Sequence, residues 1–287
     1  MITRRSFLEL AAGAIVATTF PNMISALTRP CYSGDMCELE KGLWYGEFKS
    51  AQPAIVGDSI INIVRVDPAD YDLKLLTKSQ YKGDSLTAQE WVEKYNLVAA
   101  INAGMFRGDH KTNCGFARTR EHVNNGSLTP KYNTAIAFNP KIPGISEFKM
   151  ADLDAEDFGL LKKQYHSIVQ NLRMTDRNGR NTWTKSHRQW SQAAVGIDSK
   201  GRILFLHSRS PHSIHDFNEI ARALPLEIRN SMHVEGGPEA SLSLRYEGKK
   251  PVRINQSGSY ETGFNEKDSN YKQWPIPNVL GIIKRVA

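Results

Sequence analysis

Four stretches of the chain hold side chains whose types and spacing could do chemistry. Glu235-Gly236-Gly237-Pro238-Glu239-Ala240-Ser241 sets a carboxylate on a short apolar strand, clears the space beside it with two glycines, and adds a second acid. A carboxylate seldom occupies such a position without a partner or a task. Asn102-Ala103-Gly104-Met105-Phe106 ends a buried strand in an amide, followed by small residues that let a ligand approach the backbone. In Gln170-Asn171-Leu172-Arg173, alternation puts Asn171 and Arg173 on one face, which suits a bound phosphate and equally a surface ion pair. His207-Ser208-Arg209-Ser210-Pro211-His212-Ser213-Ile214-His215-Asp216 leads a strand into a helix N-terminus, where free N–H groups attract anions. His207, His212 and His215 leave a metal site open there, although no recognised ligand spacing is met. Each stretch also has a plain structural explanation: an Asn bonding its own turn, a helix cap with exposed histidines, the turn chemistry of Gly-Gly-Pro.

Other signatures are missing. The chain has no Gly-x-Ser-x-Gly elbow, no phosphate loop, no His-Glu-x-x-His and no Cys-x-x-Cys, which argues against a serine hydrolase, a nucleotide triphosphatase and a zinc protease. Its 287 residues, 40% of them hydrophobic, are enough for a substantial core. Lys plus Arg (37) exceed Asp plus Glu (30), a net charge of +7 that suits acidic ligands. The basic residues are scattered and the aromatics do not interleave with them, so no nucleic-acid partner is expected.

The elements that must position these residues are marked by local signals. Ile60 to Val66 alternates as a strand. Thr87 and Glu90 form a capping box with Leu86 and Trp91 as its hydrophobic staple, so a helix starts near Thr87. Leu97 to Ile101, Thr134 to Phe138 and Ser167 to Asn171 read as strands, with a helix from near Asp154 to Tyr165. Ala193 to Ile197 and Arg202 to His207 flank Asp198-Ser199-Lys200-Gly201 as a hairpin. Ser213 and Asp216 cap a helix ended by Pro225, Met232 to Glu235 is a short strand, and Leu242 to Tyr246 pairs with Pro251 to Ile254. The expected fold class is α+β, a single domain around a mixed, largely antiparallel β-sheet with flanking helices.

The first residues read as an address. Thr3-Arg4-Arg5-Ser6-Phe7-Leu8 precedes an apolar run from Leu10 to Phe20, as in twin-arginine export signals. Residues 1–26 are assigned to that signal, 27–54 to a leader and 55–287 to the functional domain. The expected location is periplasmic or otherwise extracytoplasmic, with the twin-arginine machinery as a partner and no membrane span in the mature chain. Cys31 and Cys37 are close enough in sequence to pair, leaving Cys114 odd; lipidation of Cys31 is the alternative.

The stretches Ala100-Ile101-Asn102-Ala103-Gly104-Met105-Phe106, Ala194-Val195-Gly196-Ile197-Asp198, Gly201-Arg202-Ile203-Leu204-Phe205 and Val234-Glu235-Gly236-Gly237, in this order, resemble the phosphodiester glycosidase family across about residues 55–285. Two positions depart from its pattern: Glu235 stands where many members have Asp, and Gln192-Ala193-Ala194 where many have Arg-Thr-Ala. The resemblance implies a hydrolase that removes a sugar joined through its anomeric carbon to a phosphodiester; together with the export signal, the expected substrate is a carbohydrate or sugar phosphate of the cell envelope, and no metal or other cofactor is expected. On that reading Glu235 stabilises or attacks the oxocarbenium-like centre, Asn102 orients the sugar, Arg173 and Arg209 hold phosphate, and His207 carries the proton. Glu239 is the second carboxylate, and Gly104, Phe106, Gln170, Asn171, Gly236, Gly237 and Ser241 line the substrate site. A non-catalytic protein that binds anionic glycan, and a metal-dependent phosphodiesterase using the His cluster, are the rival readings.

Overall fold

Short apolar runs broken by turns can bury their surface only by pairing, and here they pair into two sheets. The computed structural model describes residues 34–259 and 270–285. The export signal and Cys31 lie outside the described residues. The strands are β1 (Met36–Glu40), β2 (Leu43–Lys49), β3 (Ile60–Val66), β4 (Tyr71–Thr77), β5 (Ala99–Asn102), β6 (Ala117–Arg118), β7 (Val123–Asn125), β8 (Thr134–Pro140), β9 (Phe148–Asp152), β10 (Tyr165–Arg173), β11 (Trp190–Asp198), β12 (Ile203–His212), β13 (Ile228–Gly236), β14 (Ser241–Tyr246), β15 (Val252–Ser257) and β16 (Asn278–Lys284). The helices are α1 (Lys78–Tyr81), α2 (Ala88–Lys94), α3 (Phe158–Gln164) and α4 (Ile214–Ala223).

The larger sheet runs β1-β2-β3-β12-β11-β13-β10-β6-β7, with β8 pairing β10 and β9 pairing β8; the smaller runs β15-β14-β5-β16-β4. Each strand pairing among the described residues is antiparallel, so the expected mixed sheet is corrected to an antiparallel one. Parallel neighbours would need long crossovers, whereas pairs such as β11–β12 and β14–β15 are joined by hairpins. The fold is α+β with sheet predominating.

Strand alternation sorts the apolar residues into layers. In β3, Val64 and Val66 face a core shared by both sheets, while Ile61 and Ile63 face the outer layer that α4 covers with Ile214, Phe217 and Ile220. On the far side α2 covers the smaller sheet with Trp91 and Val92, and its start is as expected: Thr87 and Glu90 make the reciprocal capping box, and Leu86 packs beside Trp91. Two strands lie in the stretch read as leader: β1 and β2 join β3, and β2 buries Leu43 and Tyr45 in the shared core. The folded unit therefore includes residues well before 55. The chain crosses from the larger sheet to the smaller where β13 passes through the 3₁₀ turn Gly237–Glu239 into β14.

Candidate active site

A cavity of about 560 Å³ opens at this crossing. Its floor is His233, Glu235, Gly236, Gly237, Pro238 and Glu239, and its walls are Met105 after β5, Leu172 of β10, Trp183, Trp190 and Ile214 at the head of α4. Two sequence features shape the floor. Opposite β11, Glu235 pairs with Ala193 and His233 with Ala194, so Val234 is an extra residue in a β-bulge, which re-aims the side chain after it. Gly236 then admits an indole against the backbone, because a Cβ there would lie 2.0 Å from Cδ1 of Trp190. The glycine thereby brings an indole into the lining of the cavity that Glu235 floors.

Glu235 keeps part of its surface open to the cavity. The protein packed around it nevertheless withholds bulk water, and burial pushes its pKa from 4.5 to about 8, with the charge of Glu239 adding to the rise. The N–H of Gly236 donates to its Oε1 at 3.2 Å and offsets part of that. Cys114 and Tyr132 stand close enough to interact electrostatically with Glu235; burial first, and the Glu235 charge as well, hold both groups above their ordinary pKa. At neutral pH the carboxyl therefore carries its proton, which suits an acid and not the attacking carboxylate expected from sequence.

His233 is 2% exposed, and neither of its ring nitrogens has a hydrogen-bond partner among the described residues. Desolvation lowers its pKa to about 4, so the ring is neutral at pH 7. Its cross-strand neighbour on β10 is Leu172. Sequence reading missed His233, Trp183, Trp190 and Tyr132. The signals available were a histidine two residues before the singled-out acid and two tryptophans, Trp183 in the segment before β11 and Trp190 at its first residue; Tyr132 had none.

Of the residues expected at the site, Glu235, Gly236, Gly237 and Glu239 line the cavity. Others stand behind it as supports. Gln170 donates to the carbonyls of Thr129 (2.9 Å) and Tyr132 (2.7 Å) and accepts from the N–H of Phe116 and of Thr129, which fixes the loop carrying Tyr132. Asn171 donates to the Val234 carbonyl at 2.9 Å and so braces the bulge. Gly104, at φ +140°, lets that amide in, since a Cβ would sit 2.6 Å from Asn171 Nδ2. Asn102 accepts from the N–H of Ser241 at 3.2 Å, tying β5 to the start of β14. Phe106 sits farther along the loop, against His110.

The remaining residues face elsewhere, and the roles expected for them need correction. Arg173 is ion-paired to Asp152 and, at 2.7 Å, to Asp154 in a separate cleft with Arg177 and Arg180, because its strand ends beside β9. His207 points between the sheets, fully buried, with Nε2 3.2 Å from the Ala240 carbonyl, and desolvation lowers its pKa to about 4. Such a ring does not exchange protons with a substrate in the cavity. Arg209 lies over the ring of Tyr271 and donates to the Asn270 carbonyl and Ser259 Oγ. None of the residues lining the cavity is Lys or Arg. His215 contacts Asp216, His212 is buried, and among the described residues no group of three His, Cys, Asp or Glu is arranged to hold a metal ion. Cys37 is disulfide-bonded and Cys114 is a free thiol.

The same fold occurs in two solved structures. A hypothetical protein from Synechocystis superposes with a TM-score of 0.58 at 11% identity over 89% of this chain and 64% of that one, so this chain spans less than two thirds of its length. The catalytic domain of zebrafish N-acetylglucosamine-1-phosphodiester alpha-N-acetylglucosaminidase, auto-inhibited by its pro-peptide, superposes with a TM-score of 0.55 at 14% identity over 88% of this chain and 87% of that one. At these identities the likeness concerns the fold. No curated protein gives a significant sequence match. The sequence profile of the phosphodiester glycosidase family matches residues 95–283, a stretch that contains the whole cavity lining, and the chain belongs to that family.

Proposed function

We propose that the protein is an exported hydrolase that releases a sugar from a sugar-1-phosphodiester of a cell-envelope glycan. Glu235 is its proton donor and Glu239 its second carboxyl. The observation that carries this reading is a carboxyl on the floor of an aromatic-walled cavity, its pKa pushed up to about 8 by burial, in a chain of this family. A neutral Glu235 can offer its proton to the oxygen bridging sugar and phosphorus, and it lacks the negative charge that would repel the phosphodiester. The bond between the anomeric carbon and that oxygen breaks, the phosphate monoester leaves with the proton, and water bonds to the sugar as Glu239 accepts the proton it releases. Trp183 and Trp190 supply apolar faces for a sugar ring, and Trp190 packs against Gly236, next to the acid in sequence.

The export reading is supported by Arg4-Arg5 ahead of the apolar run, and by the disulfide at Cys37, a bond that persists in oxidising compartments. No helix among the described residues is long and apolar enough to cross a membrane. The test is to incubate the purified protein with isotopically labelled sugar-1-phosphodiesters and to separate free sugar from free phosphate, beside Glu235→Gln and with a chelator. Sugar release that is abolished in Glu235→Gln and indifferent to chelator is expected. Phosphate release lost on chelation would favour a metal-dependent phosphodiesterase, and tight binding without turnover a glycan-binding protein.

A further inference from the structure

We infer that His233 is a specificity residue of the cavity: its two ring nitrogens read sugar hydroxyls while the sugar ring lies against Trp190. The inference rests on the reading of the cavity as a sugar site. Three observations on the page carry it. The imidazole lines the same cavity as Glu235, two residues before it on β13. It is 2% exposed, and Nδ1 and Nε2 both lack a partner among the described residues. Its cross-strand neighbours are apolar on both sides, Leu172 on β10 and Ala194 on β11.

A polar ring in such a place is costly to the free protein unless a ligand completes it. A neutral imidazole presents one donor and one acceptor whichever tautomer it adopts. A hydroxyl both donates and accepts, and because Nδ1 and Nε2 point in divergent directions, two hydroxyls set apart on the sugar match the pair, whereas a phosphate oxygen, which only accepts, satisfies only the N–H. His233 therefore belongs to the sugar side of the substrate, and the phosphate belongs nearer the proton of Glu235. Removing the matching hydroxyl leaves the ring desolvated and unpaired, which is the situation in which polar sites discriminate most sharply.

The test uses the full-length protein and tryptophan fluorescence, to which Trp190 contributes. Methyl α-glycosides of glucose, galactose, mannose and N-acetylglucosamine are titrated first, then the monodeoxy analogues of the best binder. In the wild type, loss of one hydroxyl, or of either of two that are not adjacent, should weaken binding roughly 10- to 100-fold and loss of the others should not. His233→Phe should bind the parent sugar about as weakly as the wild type binds the deoxy analogue, and should no longer tell them apart. His233→Asn and His233→Gln each retain one of the two contacts, and discrimination should fall in at least one of them, which keeps the test available if His233→Phe does not fold. A flat deoxy series in the wild type, discrimination unchanged in every variant, or no saturable binding of any glycoside would overturn the inference. Sugar release from phosphodiesters is scored separately. Turnover with unchanged deoxy discrimination in His233→Phe sinks this inference and leaves the glycosidase standing, whereas His233-dependent sugar binding with no turnover does the reverse.

Discussion

Replacing Glu235 by Gln keeps the shape and neutrality of the protonated acid while removing its ability to ionise, and that should make the protein more stable at alkaline pH. The unfolded chain holds this carboxyl near pKa 4.5 and the folded protein near 8, so between those values the folded state binds a proton that the unfolded state has lost. Stability contributed by that proton is fully present below 4.5 and is lost as pH rises towards 8. At about 1.36 kcal/mol per pH unit the whole interval corresponds to roughly 5 kcal/mol. Because the side chain is partly open to the cavity, solvent screening reduces this to about 2–3 kcal/mol, a difference in Tm of roughly 5–10 °C in a protein of this size. Melting curves of the two proteins, followed by circular dichroism from pH 5 to 9, should be close at the acidic end and diverge up to pH 8. The buried histidines titrate in both proteins and largely cancel in the comparison. Curves that stay parallel across the whole range would refute the argument that the fold holds this carboxyl protonated.

Other expectations follow from the same structure. Gly236→Ala puts a methyl 2.0 Å from the Trp190 ring, so sugar release should fall about 10- to 100-fold with little change in far-ultraviolet circular dichroism; kcat/KM within a factor of two would mean that the indole has no part in the site. Gln170→Leu removes four hydrogen bonds that fix the Tyr132 loop and should cost about 2–4 kcal/mol in urea unfolding, whereas a surface-like loss under about 0.5 kcal/mol would contradict its bracing role. Arg173→Leu leaves Asp152 and Asp154 unpaired and should destabilise by about 1–3 kcal/mol with KM unchanged; a large rise in KM would restore Arg173 as a phosphate holder. His207, His212 and His233 are held neutral with pKa values near 4, so their contribution to stability should be lost as pH falls from 6.5 towards 4, which a flat thermal profile over that interval would exclude.

The parts of this molecule legible in its sequence are those decided by near neighbours. The Thr87 capping box, the Asp198–Gly201 hairpin, the Ser213 cap of α4 and the strand β3 depend on residues a few positions apart, and each lies where it was expected. β1 and β2 escaped because Met36–Glu40 is an edge strand with polar residues and no core alternation, and because Leu43 and Tyr45 of β2 are buried in a core built largely from distant strands. At the site, Glu235, Gly236, Gly237 and Glu239 were legible as a carboxylate beside glycines. Arg173 and His207 were legible as types but not as directions: the acids of β9 claim the first, and the meeting of the two sheets encloses the second. The bulge at Val234 has no local signature, and the cavity places His233 in the same floor as the acid, an arrangement that no spacing along the chain announces.

The crossing at Gly237–Glu239 has a consequence for how such a site can diversify. Glu235 is anchored to one sheet, while Glu239 closes the three-residue bridge into the other, so the gap between the two acids depends on the length and pucker of that bridge, whose Gly237 and Pro238 are buried. Carboxyl groups about 5–5.5 Å apart favour retention at the anomeric carbon, and a gap of roughly 6.5–9.5 Å favours inversion. A one-residue insertion or deletion in the bridge would thus act as a gauge on stereochemistry, resetting the gap between the acids, with the core residue Ala240 as the neighbour that must move with it.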